Sequence, residues 1–301
     1  MARKIKVASV SFSYTEDEEG QSQAGVLKQL AQNADYLQGM GMDLIVFSEC
    51  VEACGQTMDQ AESLDDFGPL LNFYSELARK EDSIIAGSSK INCDGKVYNS
   101  IVYFDPDGKV LGRYDKSNLT MGELEVGISP GLGAGIVETP AGRLAGAICF
   151  DLNFTELLDE MIPLKPDIII FPSMYHGGLM QAQWAYQCRA FFVSSLYSEG
   201  GGILDPFGRP VKLADNYNRY AMAEINLDRA IVHLDYNRDK FPDIIRKYQG
   251  KIILDVPPNI GSALIYSDCE ELSAMDVVNE FELELLDDYF ARARAANSKK
   301  R

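Results

Sequence analysis

Two patterns of apolar residues alternate along most of the chain: short apolar runs, and segments in which apolar residues recur every three or four positions. Short apolar runs at residues 43–47 and 83–89 are typical of strands that are buried on both faces of a sheet, and residues 5–12, where apolar and polar positions alternate, predict a further strand. Between these runs, apolar residues recur every three or four positions over 25–40 and 70–80, which predicts amphipathic helices. The pattern therefore predicts an α/β protein in which helices cover a sheet.

Turn residues then interrupt the pattern and predict hairpins. Asp-Pro-Asp-Gly at 105–108 separates apolar runs at 97–105 and 109–114, and Asp-Pro-Phe-Gly occupies 205–208. Further strands are predicted at 136–138, 144–148, 167–171, 194–196, 202–204 and 220–225, and further helices at 156–162 and 184–192. Hairpins interspersed with strand–helix–strand units indicate mixed sheets rather than a strictly alternating barrel.

The pattern changes after about residue 234. Residues 235–251 are rich in charge, and Pro257-Pro258 interrupts the chain, so we divide it into a domain at 1–234 and a C-terminal arm at 235–301. A final helix predicted at 273–294 carries an apolar stripe, formed by Met275, Val278, Phe281, Leu285 and Tyr289. Such a stripe needs cover from its own domain or from a partner subunit, and we favour a partner subunit.

Charge and hydropathy limit the partners that the chain can have. Its 301 residues, 46% of them hydrophobic, are enough for a large core. The net charge of −17 makes nucleic acid and anionic membranes poor partners. No apolar run approaches the roughly 18 residues of a membrane span, so we expect a protein that does not enter membranes.

Cysteine and histidine usage points away from disulfides and metals. The six cysteines have no compact framework spacing, which is typical of reduced thiols in a cytoplasmic protein. Only two histidines occur, His176 and His233, so we expect no metal site.

Cys149 stands where the chain turns sharply. An apolar run ends at Ile148, the polar turn Asp151-Leu-Asn153 follows, and a helix is predicted soon afterwards. A buried strand that enters such a corner is how an α/β protein presents a nucleophile, and the following helix is expected to lower the pKa of the thiol. The alternative is that Cys149 is simply packed as a small hydrophobic residue.

Glu49 and Lys116 also follow apolar strands, where ligands bind in open α/β sheets. A carboxylate at Glu49 is suited to take the proton from Cys149 and to return it to a leaving amine. Lys116 and the backbone N–H of Phe150 are suited to stabilise a developing oxyanion. The alternative is that Glu49 and Lys116 are surface residues, since the residues alone do not show that they converge.

Three motifs in this order resemble those of the nitrilase superfamily of carbon–nitrogen hydrolases: Val-Phe-Ser-Glu49, Tyr-Asp-Lys116-Ser-Asn-Leu and Gly-Ala-Ile-Cys149-Phe-Asp-Leu-Asn-Phe-Thr-Glu. The resemblance covers residues 4–230. It implies a four-layer α-β-β-α sandwich with mixed sheets and a site that needs no cofactor or metal. It also implies a homodimer or higher homo-oligomer, in which a C-terminal extension embraces a neighbouring subunit.

The resemblance also implies roles for individual residues. Cys149 becomes the nucleophile, Glu49 the general base and Lys116 the residue that stabilises the oxyanion. A second glutamate is expected in the loop after the lysine; Glu123 fits this position, and Glu125 is the alternative, which we prefer to interpret as a surface carboxylate.

The sequence departs from the family pattern at three positions. Ser48, Asp115 and Asn118 stand where proline, arginine and histidine are common in the family. Asp115 could compete with the oxyanion for Lys116, unless the alternation of strand side chains turns it to the opposite face.

The loop at 172–178 is expected to line the pocket, with Met174, Tyr175 and His176 as candidates for substrate contact. For His176, a histidine that is hydrogen-bonded within its own loop is an equally good interpretation.

The predicted function is hydrolysis of a non-peptide carbon–nitrogen bond in a small-molecule amide or N-carbamoyl compound, through a thioester that releases ammonia or an amine. The first alternative is a nitrilase that uses the same residues on a C≡N substrate. A catalytically silent scaffold or binding member is a second, and a flavodoxin-like binding domain with a packed Cys149 is a third.

Overall fold

The computed structural model describes residues 2–12, 22–49, 58–197, 200–215 and 217–300. The chain divides into two compact units. The larger unit comprises residues 6–224, and the smaller comprises residues 1–5 together with 225–301.

The strands and helices of the described chain are named here in chain order. The strands are β1 (Lys4–Val10), β2 (Leu44–Phe47), β3 (Ile84–Cys93), β4 (Lys96–Phe104), β5 (Val110–Asp115), β6 (Ile136–Thr139), β7 (Gly142–Gly146), β8 (Ile168–Ser173), β9 (Phe191–Leu196), β10 (Gly202–Leu204), β11 (Pro210–Leu213), β12 (Tyr220–Asn226), β13 (Arg229–His233), β14 (Ile252–Asp255) and β15 (Ser262–Ser267). The α-helices are α1 (Gln23–Asp35), α2 (Pro69–Glu81), α3 (Met121–Glu125), α4 (Thr155–Met161), α5 (Leu179–Cys188), α6 (Phe241–Tyr248), α7 (Ala274–Glu280) and α8 (Leu286–Ser298).

Two six-stranded sheets of the described residues are both mixed, as the hairpin signals predict. The first has the order β12-β1-β2-β3-β4-β5, parallel from β1 to β3 and antiparallel from β3 to β5. The second has the order β11-β10-β9-β8-β7-β6, with a parallel centre at β7, β8 and β9. In both sheets the central strands are buried on both faces, which explains their continuous apolar sequences.

Each sheet carries helices on one face and meets the other sheet across the opposite face. Helices α1 and α2 pack on the first sheet through residues such as Leu30 and Tyr74. Helices α4 and α5 pack on the second through residues that include Trp184, which is 2% exposed. Between the sheets, the Ser9 hydroxyl donates to the Ser194 carbonyl at 2.6 Å. The larger unit is therefore a four-layer α-β-β-α sandwich.

The smaller unit has its own sheet, in the order β13-β15-β14, and its own apolar core. The sequence predicts one final helix at 273–294, but the structure has two, α7 and α8, because Glu282 turns the chain with a left-handed backbone (φ 48°). Val278, Phe281 and Leu285 of the predicted stripe lie in or against this core, so the unit itself covers part of the stripe. Packing of the arm on a partner subunit stays a prediction.

Two further boundaries differ from those predicted. The helix expected at 184–192 is α5, which ends at Cys188 because Arg189 adopts a left-handed conformation (φ 57°) and allows β9 to begin at Phe191. The compact units divide near residue 225 rather than 234, since β13 pairs with β15. None of the helices in the described ranges combines the length and the hydropathy that a membrane crossing requires.

Candidate active site

Lys116 lies at the centre of a buried group of charges. It follows β5 directly, and its Nζ donates to Glu49 Oε1 at 3.2 Å and to both carboxylate oxygens of Glu123 at 2.9 Å. Glu49 lies just beyond the end of β2, and Glu123 lies in the short helix α3. The three side chains are 2%, 6% and 3% exposed for Lys116, Glu49 and Glu123. The structure thus brings together a lysine and two glutamates that are far apart in sequence.

Glu123 is held in place by the helix that carries it. Its carboxylate accepts from the Thr120 backbone N–H at 2.8 Å, and the Thr120 hydroxyl accepts from the Glu123 N–H at 3.3 Å. This reciprocal capping box fixes the first turn of α3. Glu125 lies on the same short helix but is exposed, as expected of a surface carboxylate.

The loop that follows β8 also contacts Glu49. Its Oε2 accepts from the Met174 backbone N–H at 3.1 Å, while its Oε1 faces Lys116. The carboxylate therefore has partners on both oxygens, which restricts its orientation.

Cys149 begins a five-residue 3-10 turn and has a left-handed backbone, with φ 47°. Non-glycine residues rarely adopt this conformation, and the surrounding structure must stabilise it. Asp151 does so from within the turn: its carboxylate accepts from the N–H groups of Ile148 at 2.9 Å and Asn118 at 2.7 Å, and from the Tyr114 hydroxyl at 2.8 Å. Asp151 thereby ties the Cys149 turn to the segment that follows Lys116.

The Cys149 thiol is protonated at neutral pH. Burial raises its pKa to about 11, the negative charge of Glu49 adds to this, and Lys116, the Met174 N–H and the Ser173 hydroxyl oppose it. The expectation that the position lowers the pKa of this thiol is therefore wrong, because desolvation and Glu49 outweigh the favourable groups. A base is needed to produce the thiolate, and Glu49 is the carboxylate whose charge raises the pKa of this thiol.

The neighbouring charges fix the protonation of Lys116 and Glu123. Burial alone would lower the pKa of the Lys116 amine, but the carboxylates of Glu49 and Glu123 raise it overall. Burial acts against the ionised Glu123, yet Lys116, Asn99 and the Thr120 N–H lower its pKa overall. The site therefore holds an ammonium and a carboxylate next to a neutral thiol.

Asn99 belongs to the site, although the sequence analysis assigns it no role. Its Nδ2 donates to Glu49 Oε1 and to Glu123 Oε1, both at 2.9 Å. Its backbone carbonyl accepts from the Lys116 N–H at 2.8 Å. The signal that could have identified Asn99 is its place in β4, the strand that pairs with the strand leading to Lys116.

Asp115 does not compete for Lys116. Its carboxylate accepts from the Ser100 hydroxyl at 2.6 Å and pairs with Arg113. The strand alternation turns it to the face opposite Lys116.

The remaining candidates lie around the turn and the 172–178 loop. The side chains of Phe150, Met174 and Tyr175 are each more than a third exposed. The Tyr175 hydroxyl accepts from Asn153 Nδ2 at 2.9 Å, which links the loop to the nucleophile turn. His176 is exposed, and its Nδ1 accepts from the Gly178 N–H at 3.1 Å, which is the contact expected of a histidine bonded within its loop.

The chemistry available here is nucleophilic and acid–base. A thiol, a carboxylate that can accept its proton and a buried ammonium are the groups that acyl transfer requires. No cluster of three or more His, Cys, Asp or Glu side chains in the described ranges could hold a metal ion.

Sequence comparison places most of the larger unit within one family. A family model described as carbon–nitrogen hydrolase matches residues 6–195. A hydrolase from Schizosaccharomyces pombe is 24% identical over 253 residues, which cover 74% of this chain and 77% of that protein. The deaminated glutathione amidase of Dictyostelium discoideum is 27% identical over 206 residues, which cover 58% of this chain and 70% of the amidase.

Comparison with solved structures gives the same answer for the fold. The crystal structure of Saccharomyces cerevisiae Nit3, a member of branch 10 of the nitrilase superfamily, aligns with a TM-score of 0.65 and 21% identity. The alignment covers 86% of this chain and 96% of that chain. The shared architecture confirms the predicted α-β-β-α sandwich.

Proposed function

The chain belongs to the carbon–nitrogen hydrolase family, and on this premise we propose that it hydrolyses a small-molecule amide or N-carbamoyl compound through Cys149. Its relatives include an amidase, which supports an amide rather than another carbon–nitrogen bond. The observation that carries the proposal is the contact of Lys116 with both Glu49 and Glu123, beside a thiol that needs a base.

The first step is attack by sulfur on the carbonyl carbon. Glu49 accepts the proton of the Cys149 thiol as the carbon–sulfur bond forms, because the pKa of about 11 leaves that proton in place until the substrate arrives. The electrons of the carbonyl double bond move to its oxygen, which becomes an oxyanion.

Lys116 and the Phe150 N–H stabilise that oxyanion. An ammonium has three N–H donors. When the two Glu123 contacts share one N–H and Glu49 takes another, the third is left for the oxyanion. Glu49 then returns its proton to the departing nitrogen, the carbon–nitrogen bond breaks, and ammonia or an amine leaves a thioester on Cys149.

Water completes the cycle. Glu49, ionised again, accepts a proton from a water molecule, and the oxygen of that water attacks the thioester carbon. The second tetrahedral intermediate uses the same donors, and its collapse releases the acid and restores the thiol, which takes the proton from Glu49. We propose Met174, Tyr175 and His176 as candidates for substrate contact.

Ammonia release from a panel of aliphatic amides, N-carbamoyl amino compounds and nitriles tests this function. We expect release by the wild type and none by Cys149→Ala. Lys116→Ala should lose about a hundredfold or more, the usual effect of removing an oxyanion donor. Cys188→Ala is the matched control, since Cys188 is a buried cysteine of α5 outside the site, and it should keep the wild-type rate.

The panel also decides between the alternatives. Turnover that survives in Cys149→Ala would refute the proposal, and turnover of nitriles alone would identify a nitrilase. If no compound is turned over and iodoacetamide does not label Cys149, the protein is a silent scaffold or binding member.

A further inference from the structure

We propose that Asn99 is a positioning residue that holds Glu49 and Glu123 together, both ionised, through its single side-chain nitrogen. The inference rests on the proposed function and deepens it, since it concerns how the same site keeps its base ready. Asn99 is 2% exposed, and its side-chain nitrogen contacts both carboxylates.

The geometry leaves the amide one useful orientation. Both Glu49 Oε1 and Glu123 Oε1 lie 2.9 Å from Asn99 Nδ2. If the amide were turned over, its oxygen would face two carboxylate oxygens, which is repulsive. The two carboxylates therefore fix the NH₂ group between them, with one N–H for each.

The charge count explains why a neutral double donor is needed. The titratable groups around the amide are Glu49, Glu123, Lys116 and the Cys149 thiol, and the charge of Lys116 also acts on Asp151 in the nucleophile turn. Two carboxylates facing one ammonium leave an excess negative charge in a buried space, which favours uptake of a proton by one of them. A second cation would compete for the oxyanion, whereas an amide stabilises both carboxylates without adding charge.

The other end of the amide supports this interpretation. Asn99 Oδ1 is buried and accepts no hydrogen bond from the described residues. An unpaired buried acceptor is destabilising, so folding alone does not explain an asparagine here. The NH₂ group accounts for it.

An ionised Glu49 is what the proposed mechanism requires, because the thiol keeps its proton until Glu49 takes it. Without the amide, the carboxylate pair should bind a proton at higher pH, and a larger share of the enzyme would lack its base. The loss should therefore affect kcat more than KM and be greatest at acid pH.

The test compares Asn99→Ala and Asn99→Asp with the wild type. For Asn99→Ala, the acid limb of the rate profile should move up by about one pH unit, and the rate below the limb should fall about tenfold. Asn99→Asp keeps the size of the side chain but, when protonated, donates one hydrogen bond instead of two. We therefore expect its acid limb to move up by at least as much as that of Asn99→Ala. This variant preserves packing if Asn99→Ala fails to fold.

Ser100→Ala is the matched control. Ser100 is the next residue of β4, is equally buried, and donates to a carboxylate outside the site, that of Asp115. Its acid limb should stay in place. An Asn99→Ala rate that falls equally at every pH, or an equal shift in Ser100→Ala, would overturn the proposal.

NMR of protein labelled at the glutamate Cδ gives a second measurement that needs no substrate. The Cδ signal of Glu123, assigned with Glu123→Gln, should titrate at higher pH in Asn99→Ala than in the wild type, because the hydrogen bond from Asn99 lowers the pKa of Glu123. Wild type that hydrolyses nothing would refute the proposed function, while these titrations would still decide the role of Asn99. A titration that is unchanged in Asn99→Ala would refute the proposed role of Asn99.

Discussion

The Cys149 thiol combines exposure to attack with an environment that keeps it protonated. Burial and the charge of Glu49 hold its pKa near 11, against the opposing effects of Lys116 and two hydrogen-bond donors. A thiol in this state can act as a nucleophile only when a base accepts its proton. The charge of Glu49 opposes the thiolate, whereas in the proposed mechanism the same carboxylate accepts the proton of the thiol.

Glu49→Gln should separate these two effects. Removing the negative charge should lower the titration midpoint of the Cys149 thiol by about one pH unit from its value of about 11, although hydrolysis is lost. The measurement is thiolate absorbance against pH, with the same titration of Cys149→Ala subtracted. Glu125→Gln, an exposed position on α3, should leave the midpoint unchanged, and a midpoint that rises in Glu49→Gln would contradict the assignment.

Some residues of the candidate site could be predicted from the sequence and others could not, and the difference has a physical reason. Glu49, Lys116 and Cys149 lie in recognisable motifs, and their carboxylate, amine and thiol groups are typical of acid–base and nucleophilic chemistry. Asn99 depends on strand register: the β4–β5 hairpin shifts by one residue between Tyr103 and Phe104. Without that shift Asn99 would lie opposite Asp115 instead of next to Lys116, and a turn signal alone does not predict it.

The nucleophile turn is the element on which the site geometry depends. A single carboxylate, Asp151, satisfies donors from the turn, from β5 and from the segment after Lys116. Burial raises the pKa of Asp151 to about 6, although these hydrogen bonds oppose the rise. A group whose pKa is higher in the folded protein than in the unfolded chain contributes stability below its unfolded pKa and loses that contribution as the pH rises through the folded value.

Asp151→Ala should therefore have an effect on stability that depends on pH. It removes the acceptor of the Ile148 and Asn118 N–H groups, while the Tyr114 hydroxyl keeps its contact with Ser117 Oγ, so we expect a substantial loss of unfolding free energy and of activity. The difference in unfolding free energy between wild type and variant should narrow by about 3 kcal/mol as the pH rises from about 4 to above 6. Urea titrations across this pH range measure the difference, with Asp159→Ala, at an exposed position, as the control. A difference in unfolding free energy that grows as the pH rises would contradict a raised pKa for Asp151.

Helix ends were the least predictable elements. Helices α2, α5 and α6 are each followed by a residue in the left-handed region, where glycine is usually found: Asp82, Arg189 and Gln249. Because the sequence carries no glycine at these positions, apolar periodicity alone placed the end of α5 four residues too late and joined α7 to α8. The strands were located better, since their apolar runs reflect burial between layers.

At the scale of the whole molecule, the chain combines a large sandwich with a smaller unit that has its own sheet and core. Family membership made the sandwich predictable. The internal structure of the arm was not predictable, because its strands β14 and β15 follow the charged segment 235–251 and lie on either side of Pro257-Pro258. Self-association follows from the family resemblance and stays a prediction.

Light scattering over a dilution series should therefore give a mass of at least twice that of one chain at micromolar concentration. A chain that is monomeric at every concentration would contradict it. Because the net charge of −17 on each chain opposes association, adding salt should shift the equilibrium toward the oligomer. A monomer fraction that grows with salt would show that attraction between charges, not apolar contact, holds the subunits together.

Trp184 gives the molecule an optical probe of its own. It is the only tryptophan in the chain, and it packs in the same apolar cluster as Leu152 of the nucleophile turn. Tryptophan emission responds to the polarity around the indole ring, so its fluorescence reports on this one layer of the sandwich without any label. At excitation wavelengths that tyrosine does not absorb, no other side chain contributes, and the signal belongs to the layer that supports Cys149.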